Sequence, residues 1–181
     1  MLRYSFIYGA IIGCVIIAFM CVVLFVLGAE DMFASELAGY AVMLAVLSLV
    51  FVGIKRFRDV EHGGVITFAK AFSVGVGIAL VAGVFYAISW EFFLVATDFA
   101  FIEAYSQGLI AEVEAKDIDA AAKAAEIAEI TSSVEMYRNP LFRLPITFVE
   151  IFPVGLVVAL VSALILKNPK ALPAKAAKAA S

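Results

Sequence analysis

The chain has 181 residues, of which 65% are hydrophobic, a formal net charge of −3 and a mean hydropathy of +1.07. Soluble domains are about 45–50% apolar, so this composition excludes an ordinary soluble globular protein. It favours a protein that is embedded in a lipid bilayer.

Four long apolar runs are spaced along the chain. A helix needs about 20 mostly apolar residues to cross about 30 Å of hydrocarbon, and these runs lack the alternation of barrel strands. We therefore predict an all-α fold, a polytopic membrane protein with a four-helix transmembrane bundle and an amphipathic helical outer segment. The predicted spans cover about residues 5–29, 37–54, 66–90 and 141–166, within one membrane domain of residues 1–168.

The first apolar run has two possible interpretations, a cleavable signal peptide or an uncleaved span. Its length exceeds the roughly 7–15 apolar residues of a signal peptide, and Leu27 is unsuited to the position before a cut after Ala29. We expect an uncleaved span, followed by a turn in which Ser35 caps the second helix. Cys14 and Cys21 lie about 10 Å apart along this helix, too far for a disulfide, so we interpret them as small apolar fillers.

Basic residues gather on one side of the predicted bundle, whereas acidic residues concentrate in the first and third connections. Lysine and arginine in short flanks mark the cytoplasmic side. We therefore expect a multi-pass protein of the bacterial inner membrane, with N and C termini cytoplasmic and residues 91–140 in the periplasm. The basic residues on the cytoplasmic side are Arg3, Lys55, Arg56, Arg58, Lys70, Lys167, Lys170, Lys175 and Lys178.

The second connection carries the basic cluster of residues 55–58 and ends at Gly63-Gly64, which predicts a break in the helix. The cluster either anchors the topology by contacting anionic lipid, or binds a specific partner or phosphate. His62 is the only histidine and has no cysteine or histidine companion, so we expect neither a metal site nor a cofactor there.

Small residues recur at every fourth position of the third and fourth spans. Such stripes let helices approach closely in lipid, where van der Waals contact drives association. They predict either a tightly packed bundle core or the seam of a homo-oligomer. The stripes are Ala71, Gly75, Ala79, Gly83 and Ala87 on the third span, Gly155, Ala159 and Ala163 on the fourth, and Gly9 and Gly13 on the first.

The outer segment, residues 98–138, is polar enough to leave the membrane. Apolar residues at helical spacing predict two amphipathic helices joined near residues 116–119. Glu112–Lys116 and Asp119–Lys123 have the spacing of stabilising pairs within one helix. The segment is either a solvated cap or a binding domain for other membrane or periplasmic proteins.

Asn139-Pro140 has the pattern of a helix N-cap and first helical position. The fourth span then contains Pro145 and Pro153, which we expect to kink it. We predict that residues 169–181 form a disordered cytoplasmic tail.

Glu150 is the main candidate for a functional group, because an acid inside a span costs a few kcal/mol unless it is protonated, paired or hydrated. Glu150, Arg143 and Pro153 form a candidate intramembrane polar site, since the carbonyl of Val149 that Pro153 frees would suit a cation or proton site beside the carboxylate. The alternative is that Glu150 only contacts Thr147, Ser89 or Arg143. Lys70 and Glu91 bracket the third span, and we interpret both as boundary markers.

The sequence contains no Gly-x-Ser-x-Gly elbow, phosphate loop or His-Glu-x-x-His motif, so we expect no enzyme and assign no catalytic or cofactor-binding residue. The leading hypothesis is a non-enzymatic accessory or structural membrane protein, with the lipid bilayer as its partner and no nucleic acid. The rival is a small ion- or proton-coupled transport component that uses Glu150.

The chain also resembles the bacterial membrane proteins of domain-of-unknown-function family 4199. One stretch that carries the resemblance is residues 54–59 with Gly63-Gly64, residues 67–68 and residues 71–75. The other runs from Asn139-Pro140-Leu141 through Glu150 and Pro153-x-Gly155 to residues 162–167. The resemblance implies four spans and no catalytic residue, and it covers roughly residues 4–168.

Overall fold

The computed structural model describes residues 1–22 and 36–174; for residues 36–39 it describes the backbone only. These ranges hold α-helices and no strand, so the predicted all-α class is confirmed. The helices are α1 Leu2–Val22, α2 Glu36–Leu47, α3 Leu49–Glu61, α4 Phe68–Ala96, α5 Ala100–Ala115, α6 Ala120–Arg138 and α7 Pro140–Leu166.

Four of the described segments are long and apolar enough to cross a membrane: Leu2–Val22, Tyr40–Glu61, Phe68–Ala96 and Pro140–Leu166. Large apolar side chains are exposed along these segments, as lipid contact requires. The chain is thus a multi-pass membrane protein with four spans, as the composition predicts.

The ends of the spans differ from the sequence expectation. The second span, α2 and α3 with Ser48 between them, continues to Glu61 instead of ending near residue 54, so the basic cluster lies on a helix. Gly63 and Gly64 then adopt positive φ angles of 57° and 90°, which glycine accepts without steric cost. The expected end of the first span near residue 29 and the cap by Ser35 lie outside the described residues.

The third span begins and ends later than expected. Thr67 caps α4 by accepting a hydrogen bond from the backbone nitrogen of Lys70, and the helix runs on to Ala96. Glu91 therefore lies within α4, one and a half turns before its end.

The α4–α7 contact is built on small residues. A β-carbon added to Gly75 would lie 2.7 Å from the β-carbon of Ala159, and one added to Gly155 would lie 2.8 Å from that of Ala79. Ala79 and Ala159 are themselves at most 1% exposed. These four residues form what we call the α4–α7 seam, and larger side chains would force the two helices apart.

Three other glycines mark a further contact of α4 with α7 and a contact of α4 with α1. A β-carbon at Gly83 would lie 2.8 Å from the ring of Phe148 in α7. Gly9 and Gly13 of α1 lie against Val81 and Phe85, which point from a different face of α4. The central span α4 therefore separates α1 from the α4–α7 seam.

Helices α5 and α6 form an antiparallel pair, which we call the hairpin, joined at residues 116–119 as expected. Asp119 caps α6 through the nitrogen of Ala122 at 2.9 Å. The expected Glu112–Lys116 and Asp119–Lys123 pairs do not form, because both lysines reach across to the opposite helix instead. Lys116 Nζ lies 2.5 Å from Glu126, and Lys123 Nζ donates to the Glu114 carbonyl at 2.6 Å.

Candidate functional site

Arg143 of α7 connects α4 and α6 at the hairpin end of the bundle. Its side chain is 2% exposed, and its Nε and Nη2 each donate to one carboxylate oxygen of Glu91 at 2.6 Å. This two-point geometry is the strongest form of arginine–carboxylate pair. The partner of Arg143 is therefore Glu91 of α4 and not Glu150.

The third nitrogen of Arg143 holds the end of the hairpin. Nη1 donates to the carbonyl oxygens of Tyr137 at 2.9 Å and Arg138 at 3.1 Å. These belong to the last turn of α6, whose carbonyls have no partner within the helix. Trp90 of α4 adds a hydrogen bond to the Tyr137 hydroxyl at 2.9 Å. Together these contacts, which we call the Arg143 anchor, fix the hairpin over the bundle.

A large cavity lies between the hairpin and the neighbouring halves of the spans, with a volume of about 1040 Å³. Its lining is mostly apolar. All four spans and both hairpin helices contribute, and representative lining residues are Met20, Tyr40, Tyr86, Ile151, Leu109 and Ile130. Apolar side chains of α5 and α6, among them Val113 and Val134, thus face this space.

The charged side chains of the cavity are mainly acidic. Glu112, Glu126 and Glu129 enter it from the hairpin, and Glu150 enters it from α7. Lys116 is the cation among the described lining residues, and it is paired with Glu126. The site therefore combines apolar walls with a net negative charge.

Glu150 lies in the cavity wall beside Ile151, and no described residue gives it a hydrogen bond or an ion pair. Two of the partners considered for it are occupied elsewhere: Arg143 pairs with Glu91, and Ser89 donates to the Phe85 carbonyl at 2.6 Å. The Thr147 hydroxyl is buried and has no partner among the described residues. The expected local contact of Glu150 is therefore absent from the described part of the chain.

The structure does not bring the three predicted polar-site residues together. Glu150 lines the cavity, Arg143 belongs to the anchor above it, and Pro153 is exposed on α7 and is not a lining residue. Helix α7 continues through both Pro145 and Pro153. The sequence analysis did not identify Tyr40 and Tyr86 as residues of the site. The feature that could have indicated them is the presence of a tyrosine, with its polar hydroxyl, within an apolar span.

The opposite end of the bundle has a second buried arginine. Arg58 is fully buried, pairs with Asp59 at 2.8 Å, and donates to the carbonyl oxygens of Ala171 at 2.9 Å and Leu172 at 2.5 Å. Residues 169–174, expected within a disordered tail, are thus held against α3; residues 175–181 lie outside the described part. Arg58 therefore does not face lipid, as was expected of the basic cluster. Arg56 is exposed and remains consistent with that expectation.

Residues 1–22 and 36–174 contain no group of three or more histidine, cysteine, aspartate or glutamate side chains able to hold a metal ion. His62 packs edge-on against the Phe57 ring, with centroids 5.0 Å apart.

These features define a multi-pass helical membrane protein with a cavity under a helical hairpin. The chain belongs to the family of proteins of unknown function called DUF4199, whose model matches residues 7–168. Comparison with curated proteins and with solved structures gave no match.

Proposed function

We propose that this chain is a non-enzymatic accessory protein of the bacterial inner membrane that binds an apolar or amphipathic molecule beneath its hairpin. The cavity carries this proposal. Its volume of about 1040 Å³ lies at the upper end of ligand pockets, about 300–1,000 Å³, which are typically apolar with a few polar groups. Binding of another membrane or periplasmic protein, or of a second copy of the chain, would use the exposed face of the hairpin or the spans.

The distribution of charge supports an orientation with both termini in the cytoplasm. Arg3, Arg56 and Lys170 are exposed at the end where Arg58 holds residues 171 and 172, whereas the hairpin lies at the other end. Cysteine labelling from outside intact cells, in a variant lacking Cys14 and Cys21, should modify Ala120→Cys and leave Lys170→Cys unmodified. The reverse pattern would overturn the orientation.

The closed seam below the cavity supports binding rather than passage through the bundle. Beyond Ile151 the space between α4 and α7 is occupied by the α4–α7 seam, in which Gly75 leaves no room for a methyl group beside Ala159. The rival transport role is favoured by one observation, the unpaired position of Glu150 in the cavity wall. It predicts a pH-dependent flux in proteoliposomes that Glu150→Gln abolishes, and a wild-type protein without flux would exclude it.

The single tryptophan of the chain offers a direct binding assay, because Trp90 lines the cavity. In maltoside micelles, 10-bromodecanol, a neutral alkyl probe with a heavy-atom quencher, should quench Trp90 emission in a saturable manner. Ser133→Phe, which places a ring in the cavity wall, should weaken binding about tenfold, or about 1.4 kcal/mol.

Ser132→Phe is the matched control. Ser132 is exposed on the neighbouring position of α6 and is not a lining residue, so its variant should bind the probe like wild type. Quenching that rises linearly without saturation in the wild type, or an equal effect of the two variants, would contradict a ligand-binding cavity.

A further inference from the structure

We infer that the occupant of the cavity is an amphiphile with an ammonium head group on an apolar body. The inference rests on the proposed binding function and specifies its ligand. It follows from the charges and the aromatic rings that share the cavity.

The charge balance disfavours an anionic ligand. Glu112, Glu129 and Glu150 line the cavity, and none of them has an ion pair with a described residue. Lys116, the cation among the described lining residues, is already held by Glu126 at 2.5 Å. An anionic head group would therefore meet three uncompensated carboxylates, whereas an ammonium group would be attracted by all of them.

The negative charge of Glu150 needs a counter-charge more than the charges of the two hairpin carboxylates, Glu112 and Glu129, do. Glu112 and Glu129 lie on exposed helices outside the spans, where water can solvate them. Glu150 is likewise exposed in the structure, but it lies within the span α7, where a carboxylate without a partner is costly. An ammonium head group in the cavity would supply the counter-charge that the described residues do not provide.

Aromatic rings complete the recognition chemistry. Tyr40 and Tyr86 line the cavity from the spans, whereas the other lining rings are already engaged, with Trp90 stacked on Phe93 and Phe101 stacked on Tyr105. The faces of such rings attract quaternary and primary ammonium groups, and rings grouped around a cavity are the usual receptor for them. Aliphatic lining residues such as Met20 and Ile151 provide the surface for the apolar body.

A head-group series measures this preference directly. Three probes share a 10-bromodecyl chain and carry a trimethylammonium, a hydroxyl or a carboxylate head, and each is titrated against Trp90 emission in non-ionic maltoside micelles. The trimethylammonium probe has no hydrogen-bond donor, so charge attraction and contact with aromatic faces should make it bind at least about tenfold more tightly than the carboxylate probe. Glu150→Gln, which keeps the shape of the side chain, should remove most of that ratio.

Glu135→Gln is the control for the overall charge of the hairpin. Glu135 is exposed on α6 and does not line the cavity, so this variant should keep the wild-type ratio. Equal binding of the three probes, or a ratio that Glu150→Gln leaves unchanged, would overturn the inference while the proposed binding function stands. Failure of all three probes to saturate would overturn both.

Two sources could supply an ammonium head group, a membrane phospholipid or a soluble amphiphilic amine. Adding phosphatidylethanolamine to the micelles should weaken binding of the ammonium probe if the ligand is the lipid, with phosphatidylglycerol as the lipid control. Unchanged binding with both lipids assigns the site to a soluble amine.

Discussion

The substitution Gly75→Ala tests how tightly α4 and α7 are packed. The new β-carbon would lie 2.7 Å from the Ala159 β-carbon, 3.2 Å from its α-carbon and 2.8 Å from Ile54 Cδ1. The first two atoms belong to a helix backbone or are attached directly to it, so they cannot move aside as the end of a long side chain would. Relief of this contact requires the helices to separate.

Two opposing effects set the expected magnitude. Alanine gains about 0.5–1 kcal/mol over glycine in a helix interior, whereas overpacking a close contact costs about 1–3 kcal/mol. We therefore expect a net loss of about 0.5–2 kcal/mol in the free energy of unfolding. Unfolding in mixed micelles, followed by helical circular dichroism, measures this change.

Gly108→Ala is the matched control. No atom outside its own helix lies within 4 Å of a β-carbon at Gly108, so the same substitution should stabilise α5 slightly. The double variant Gly75→Ala/Ala159→Gly removes the β-carbon that the new alanine would contact, so it should recover part of the lost free energy of unfolding. A Gly75→Ala protein as stable as wild type would refute the close packing.

Three further substitutions probe the ends of the bundle. Arg143→Met should lower the free energy of unfolding by about 3–5 kcal/mol because it leaves Glu91 without its partner, and adding Glu91→Gln should restore part of it in a double-mutant cycle; additive losses would contradict the pair. Arg58→Ala should speed hydrogen exchange at residues 169–174, and unchanged protection there would show that the arginine does not hold them. Lys116→Ala, which removes an exposed ion pair, should cost at most about 1 kcal/mol by thermal unfolding, so a larger loss would mean that the pair supports more than the hairpin turn.

The parts of the fold that could be predicted from the sequence depend on local patterns. Span composition identifies the four membrane helices, and the spacing of apolar residues identifies the two helices of the hairpin. The cap by Asn139 follows from its position before Pro140, and its side chain accepts the Leu141 nitrogen at 3.0 Å.

The contacts that form the site depend instead on how the helices are rotated relative to one another. Glu91 and Arg143 are 52 residues apart, and no local pattern specifies that they face each other. Both residues do lie near the hairpin end of their spans with opposite charges, which was a usable but weak signal. The spacing of Lys116 from Glu112 was misleading, because Lys116 pairs instead with Glu126 on the opposite helix, at 2.5 Å.

Photolabelling with an alkylammonium probe that carries a diazirine in its chain tests the cavity under the hairpin most directly. Peptide mapping should place the label on the segments that contain Tyr86, Ile151 and Val134, which line the cavity from α4, α7 and α6. Ser133→Phe should reduce that labelling. Label confined to the exposed faces of the spans, around Leu80 and Leu164, with none on the hairpin, would contradict the account.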